Sequence, residues 1–76
     1  MLSGTISDID ILSRTLTVEA TFGKKHFSVR GYISAHTVFK KGNRLSKLED
    51  FFVGDRVVVK YQISNKGDII EAIESI

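Results

Sequence analysis

Cysteine and tryptophan are absent from this chain of 76 residues, and methionine occurs once. Without cysteine there are no disulfide bonds, no thiolate zinc site and no thiol nucleophile, so apolar packing alone must hold the fold. Copper-binding barrels of comparable size depend on methionine and tryptophan, and this chain has little of the first and none of the second. No apolar run approaches the roughly 20 residues of a membrane helix, so no membrane span is expected.

Motifs for enzyme chemistry are also missing. The chain contains neither a Gly-x-Ser-x-Gly nucleophile elbow nor a glycine-rich phosphate loop. A chain of this size buries only about 60% of its unfolded surface, which leaves no room for a large enclosed active site. We therefore predict a protein that is not an enzyme, with no catalytic residues and no cofactor.

A metal site would need His26 and His36 to converge with Asp8 or Asp10, because no thiol is present. Two histidines ten residues apart do not match a zinc-binding spacing. We expect both histidines to be exposed to solvent, and the two aspartates to be solvated or paired with a lysine. The prediction is that there is no metal site.

The chain is predicted to be one domain over residues 1–76, since no linker, repeat or low-complexity segment divides it. Its first residues lack the basic start and long apolar middle of a signal peptide. The cytoplasm is therefore the default expectation. A cell-envelope location is expected instead if the chain is a domain excised from a longer protein.

Charge is strongly segregated along the sequence, although the formal net charge is only +2. The window from Ala20 to Leu48 contains seven of the eleven lysines and arginines, both histidines and none of the nine acidic residues. Such an asymmetry points to an anionic partner.

Period-two alternation of apolar and polar residues predicts five strands. Gly4 inside the first strand indicates a bend or a close backbone approach. Alternation places Phe22, Phe27 and Ile63 on inward faces, whereas both faces of the last strand carry apolar residues, so its register is left open. Of its residues, Ile70, Ala72 and Ile76 share one parity. The predicted strands are residues 2–10, 15–22, 26–33, 56–64 and 69–76.

A short helix is predicted before the fourth strand, because Ser46 and Glu49 match a capping box. We expect one or two turns, with Leu48 and either Phe51 or Phe52 closing the end of a barrel. Gly54 is then predicted to take a positive φ at the corner into the strand. The order β-β-β-α-β-β is that of an OB-fold barrel, closed or partly open. An SH3-like barrel is the alternative.

The layout also resembles a family of OB-like bacterial domains of unknown function, often found in exported or envelope proteins. The resemblance implies an OB-like fold over most of the chain and is nearly silent on function. The segments that carry it are Gly4-Thr5-Ile6, Thr15-Leu16-Thr17-Val18, Leu48 with Val53-Gly54-Asp55-Arg56-Val57, and Gly67 followed by Ala72.

The strongest functional signal is a predicted basic face within residues 24–47, on which Tyr32 would stack bases. We predict a binding module for single-stranded nucleic acid or another polyanion. Two alternatives stay open: Glu71 and Glu74 of the last strand could neutralise this face, or the barrel could be an interaction or accessory module that binds a protein partner or forms a homo-oligomer. The candidate binding residues are Lys24, Lys25, His26, Arg30, Tyr32, Lys40, Lys41 and Arg44.

Overall fold

Strands dominate the computed structural model, which describes residues 2–76. All five predicted strands are present, and the all-β, OB-like prediction is confirmed. No helix among these residues has the length and apolar character needed to cross a membrane. The elements are β1 (Leu2–Asp10), β2 (Thr15–Phe22), β3 (Lys25–Lys41), β4 (Arg44–Leu45), a 3₁₀ turn (Leu48–Asp50), β5 (Arg56–Ser64) and β6 (Gly67–Ser75).

Five of the strands close into a barrel in the order β1-β2-β3-β6-β5, with β5 returning to β1. All neighbouring pairs are antiparallel except β3 and β6, which run parallel. This parallel contact between the third and the last long strand is the one expected for an OB-like barrel. The two-residue β4 pairs only with the end of β3.

The barrel interior is filled by aliphatic side chains and closed at one end by a phenylalanine. Phe51 is only 3% exposed, and Leu48 packs against the core beside it. Phe52 points to solvent, so Phe51 closes the barrel end. The buried apolar residues are Leu2, Ile6, Leu16, Val18, Ala20, Ile33, Phe51, Val57, Val59, Ile70 and Ile73.

Two β-bulges change which residues face inward along a strand. Along the β5–β6 ladder, Lys60 pairs with Ala72, and the next residue of β5, Tyr61, pairs with Ile70. Glu71 of β6 is therefore the extra residue of the bulge. The bulge lets Ile70 and Ile73 both point inward, although they are three positions apart. This explains why alternation alone could not assign the last strand. A shift of the same kind lies between Ile6 and Asp8 in β1.

Three residues that alternation placed inside are exposed instead: Phe22 by 57%, Phe27 by 45% and Ile63 by 78%. Their parity follows the strand pattern, but no strand of the described residues 2–76 covers the face on which they lie. Ile63 pairs with Asp68 beside the β5–β6 turn, at the edge of the barrel wall. The inward prediction was therefore wrong for all three.

The predicted capping box at Ser46 is also wrong. The Ser46 backbone N–H donates to the Phe39 carbonyl at 2.9 Å, which continues the β3–β4 ladder. Asp50 provides the cap instead, because its carboxylate accepts the Lys47 backbone N–H at 3.0 Å. The result is a single 3₁₀ turn.

The segment after Ile33, which none of the predicted strands covers, continues β3 to Lys41 through an irregularity between Ile33 and Val38. The Thr37 hydroxyl donates to the Ile70 carbonyl at 2.6 Å and accepts the Ser34 backbone N–H at 2.9 Å. These bonds anchor the irregular stretch to β6, so one strand of 17 residues serves two parts of the barrel.

The predicted corner before β5 is confirmed, since Gly54 has a φ of +99°. Its backbone N–H donates to the Ile6 carbonyl at 2.8 Å, and the Ile6 N–H donates to the Asp55 carbonyl at 2.9 Å. This pair of bonds fixes the corner against β1.

Gly4 occupies a site where β1 crosses β2 too closely for any side chain. A Cβ there would collide with the Glu19 carbonyl oxygen and lie 2.9 Å from Val18 Cγ1. We predict that Gly4→Ala lowers the free energy of unfolding by about 1–3 kcal/mol, because the backbone must shift to accept the methyl group. Urea denaturation measures the change, with the neighbouring exposed Ser3→Ala as control. Equal stability of the two variants would contradict the close approach.

Candidate ligand-binding arm

The β2–β3 hairpin projects beyond the strands on either side of it. Pairing between β2 and β3 runs to Phe22 and Lys25, whereas β1 leaves β2 after the Thr5–Glu19 pair. On the other side, β6 joins β3 only at Gly31. We call residues 20–30 the arm; within it, all residues from 21 to 28 are exposed.

A two-residue turn forms the tip of the arm. Gly23 has a φ of +62° at the first central position, as in a type II′ turn, which matches the twist of antiparallel strands. Lys24 occupies the second central position, and Lys25 pairs with Phe22 across the turn. The two lysines are thereby held next to an aromatic side chain.

Alternation along β3 separates the candidate residues onto two faces of the arm. Lys25 and Phe27 share the parity of the buried Gly31 and Ile33, so they lie on the inner face, which continues the barrel interior. Phe22 lies on the same face, and its ring meets that of Phe27 edge to face, with centroids 5.5 Å apart and planes at 74°. His26, Arg30 and Tyr32 lie on the outer face.

The outer face places Arg30 close to acidic residues. Arg30 pairs with Thr17 of β2, and Thr17 pairs in turn with Asp8 of β1. The Ser13 backbone N–H donates to Asp10 Oδ1 at 3.1 Å and lowers the pKa of that carboxyl; the Ser13 hydroxyl and the Arg30 charge lower it further. The positive charge of Arg30 is therefore partly offset by the acidic residues Asp8 and Asp10 of β1.

The glutamates of β6 lie beside lysines and not beside Arg30. Glu71 lies 3.8 Å from Lys60, an exposed and therefore weak ion pair. Glu74 stands beside Lys40 in the parallel ladder. Within residues 2–76, Arg30 forms no ion pair with either glutamate.

Lys41 lies away from the arm, at the other end of β3, in a cluster of its own. Its ammonium group stands 5.4 Å from the centre of the Phe51 ring, 5.7 Å from that of Phe52 and 3.9 Å from Asp55 Oδ2. Arg44 pairs directly with Lys41 across the β3–β4 turn, and like charges in that position repel. The two rings and Asp55 offset this repulsion, so the contacts of the Lys41 side chain stabilise the fold.

Tyr32 forms one wall of an open groove of about 430 Å³. Its ring lies against Gly67, where a Cβ would come within 3.3 Å of Tyr32 Cε2. The groove therefore belongs to the β5–β6 turn and not to the inner face of the arm. It is lined by Tyr32, Ile33, Ser34, Ser64, Lys66 and Ile69.

The two histidines lie on different segments of β3. His26 is on the arm, and His36 lies in the irregular stretch, where its backbone N–H donates to Ser34 Oγ at 3.1 Å. In the part of the chain that the structure describes, no three histidine, cysteine, aspartate or glutamate side chains gather closely enough to hold a metal ion.

The structure thus divides the eight predicted binding residues. Lys24 and Lys25 lie at the arm tip, His26 and Arg30 on its outer face, Tyr32 on the same face of β3 just beyond the arm, and Lys40, Lys41 and Arg44 at the other end of β3. Sequence reasoning missed Phe22 and Phe27, because it assigned both to the core. The available signal was their position on either side of a two-residue turn, where a hairpin can project past its neighbours.

We predict that Asp10→Asn lowers stability at pH 7 and that its difference from the wild type disappears in acid. A carboxyl whose folded-state pKa is depressed stabilises the fold above its usual value of 3.8, and this stabilisation is lost as the pH falls through the lower folded value. Urea denaturation from pH 7 to pH 2 measures this, with Asp8→Asn as control. A constant difference between wild type and Asp10→Asn at every pH would contradict the prediction.

We predict that Lys41→Gln lowers the free energy of unfolding by about 1 kcal/mol, since the variant loses the two cation–π contacts and the ion pair. The matched variant Lys40→Gln should change stability by less than half as much. Thermal unfolding followed by circular dichroism measures both, and a smaller loss for Lys41→Gln than for Lys40→Gln would be the contrary result.

The barrel has a counterpart among solved structures. A 1.0 Å structure of a tryptophan-to-alanine variant of CusF from Escherichia coli, solved with Cu(II), superposes with a TM-score of 0.74. The sequences are 17% identical over 97% of this chain and 86% of that one, a likeness that shows the fold alone. No protein-family model and no curated protein matches the chain. The resemblance to a bacterial domain family therefore stays a prediction, while the structure and this likeness establish a small OB-like β-barrel.

Proposed function

We propose that this protein is a non-enzymatic binding module that holds single-stranded nucleic acid on the inner face of the arm. The observation that supports the proposal is the exposed Phe22–Phe27 pair beside Lys24 and Lys25. Sequence-independent binding of single strands combines aromatic platforms for the bases with cations for the backbone. The arm carries both within six residues.

The aromatic pair can accept bases without a change in its own packing. In an edge-to-face pair, one ring presents its edge to one face of the other, so further ring faces stay open. Both rings are about half exposed, and the neighbouring strands end before they reach them. A base that stacks here would remove apolar surface from water and gain about 1–3 kcal/mol.

The lysines of the tip supply the attraction for phosphates. Lys24 and Lys25 are exposed, and no acidic residue occurs between Ala20 and Leu48 to oppose them. Arg30 and Tyr32 lie on the other face and take a smaller part, Arg30 because of the aspartates near it. Lys41 takes none, since its ammonium group is held by the barrel.

Single strands suit this surface better than duplexes do. The bases of a duplex are stacked on each other, so their faces cannot reach a phenylalanine ring, whereas the bases of a single strand can turn outward. A polyanion without bases would use only the lysines. The Cu(II) of the CusF structure is not carried over to this chain, because an identity of 17% transfers the fold alone.

We predict that Phe27→Ala weakens the binding of a fluorescently labelled oligothymidine by roughly 5- to 150-fold, the range expected for the loss of one stacked base. Fluorescence anisotropy at low salt measures the affinity. Phe52→Ala is the matched control, since Phe52 is another exposed phenylalanine, 64% accessible and outside the arm. The oligothymidine should be about 12 bases long, which lies within the length that one OB domain covers. No binding by the wild type, or equal loss in both variants, would refute the proposal.

We also predict that the double variant Lys24→Gln, Lys25→Gln flattens the salt dependence of that affinity. Each phosphate contact to a single strand adds about 0.7 to the slope of log affinity against log salt, so the slope should fall by about 1.4. Lys66→Gln, in the β5–β6 turn, is the control and should leave the slope unchanged. An unchanged slope in the double variant would place the phosphate contacts elsewhere.

A further inference from the structure

Among residues 2–76, no strand lies beside one edge of β3 along the arm. Because β6 joins β3 at Gly31, residues 25–30 have a partner only on the β2 side. The Ile33 backbone N–H donates to the Arg14 carbonyl at 2.8 Å, in line with the β2 side of the ladder. In an antiparallel pair the backbone groups alternate between the two sides, so those of His26 and Ser28 point to the free edge.

The charge on this edge decides what can pair with it. An unpaired strand edge is a template for any extended chain. A second copy that paired antiparallel about Ser28 would set His26 of each copy against Arg30 of the other, and it would bring the Lys25 and Arg30 charges of two copies onto one short ladder. Like charges in such positions repel, so self-pairing is disfavoured. An acidic strand would be attracted to this edge and not repelled, because it would lie beside Lys25, His26 and Arg30.

The two faces of the arm specify the partner further. Along an added strand, alternate side chains point to opposite faces. Those on the outer side would meet His26 and Arg30, and those on the inner side would meet Phe27. We propose that the free edge of β3 binds an extended peptide in which acidic and apolar residues alternate, as an additional strand in line with β6. This site adjoins the proposed nucleic-acid surface and shares Phe27 and Lys25 with it, but the proposal rests on the unpaired backbone edge of β3 and not on the ring faces or the turn.

The proposal can be tested with two synthetic peptides of identical composition. One alternates four glutamates with four valines, and the other carries the four glutamates in one block and the four valines in the next. Isothermal titration calorimetry should show the alternating peptide binding about tenfold more tightly, because only it can match both faces while its backbone pairs with the edge. Equal affinities would mean that the net charge of the peptide alone determines binding, and they would overturn the proposal.

Hydrogen exchange of the wild-type protein gives a second, independent readout. The alternating peptide should slow exchange of the His26 and Ser28 backbone amides, while Lys25 and Phe27, whose amides already face β2, should change little. Unaltered exchange at His26 and Ser28 with peptide bound would place the peptide elsewhere. A salt-dependent dimer in sedimentation velocity, with the same two amides protected in the absence of peptide, would also overturn the proposal, since a second copy would then occupy the edge.

A backbone variant completes the test. Ser28→Pro removes one N–H from the free edge, where proline is tolerated because that N–H has no partner in the barrel. It should weaken the alternating peptide by about tenfold, whereas Ser28→Ala should bind as the wild type does. Circular dichroism establishes that both variants are folded. If a folded Ser28→Pro binds as tightly as Ser28→Ala, the edge is not the site.

Discussion

The parallel ladder between β3 and β6 is the contact on which the rest of the structure depends. It closes the barrel, and its first pair joins Gly31 to Asp68. Gly31 is required there, because a Cβ would come within 2.5 Å of Ile70 Cγ1 in the core. The point at which β6 can approach β3 is therefore set by the one residue of that stretch that has no side chain.

The same contact divides β3 into two parts with different surroundings. From Gly31 onward the strand has neighbours on both sides and supplies the buried Ile33 to the core. Before Gly31 it has only β2, so Phe27 keeps the inward parity but meets water. An aromatic pair that would fill the interior of a longer barrel thus becomes a surface, and the turn adds two lysines to it.

Much of the fold could be predicted from the sequence, because alternation and turn residues are local. The bounds of β1 and β2 agree with the prediction, and Gly54 has the positive φ that its corner requires. The inward-facing residues of β6 could not be predicted. A bulge such as Glu71 is defined only against its partner strand, so the inward set of β6 depends on β5.

The candidate site was less predictable for a related reason. Alternation assigns Phe22 and Phe27 to a face, but whether a third strand covers that face depends on the lengths of β1 and β6. The roles of individual lysines could not be predicted for the same reason, since Lys25 and Lys41 look alike in the sequence. One is free at a hairpin tip, and the other stands between two rings and Asp55. Only the assembled barrel separates them.

The projection of the arm also bears on how such a domain can diverge. Residues 21–28 add no side chain to the buried core, so replacing them costs the barrel little free energy of unfolding. Natural variation, or a library made in the laboratory, can therefore alter the ligand preference of the hairpin while Gly31, Ile70 and Phe51 keep the scaffold unchanged. Ligand choice and foldability are in this way inherited through different residues of one small domain.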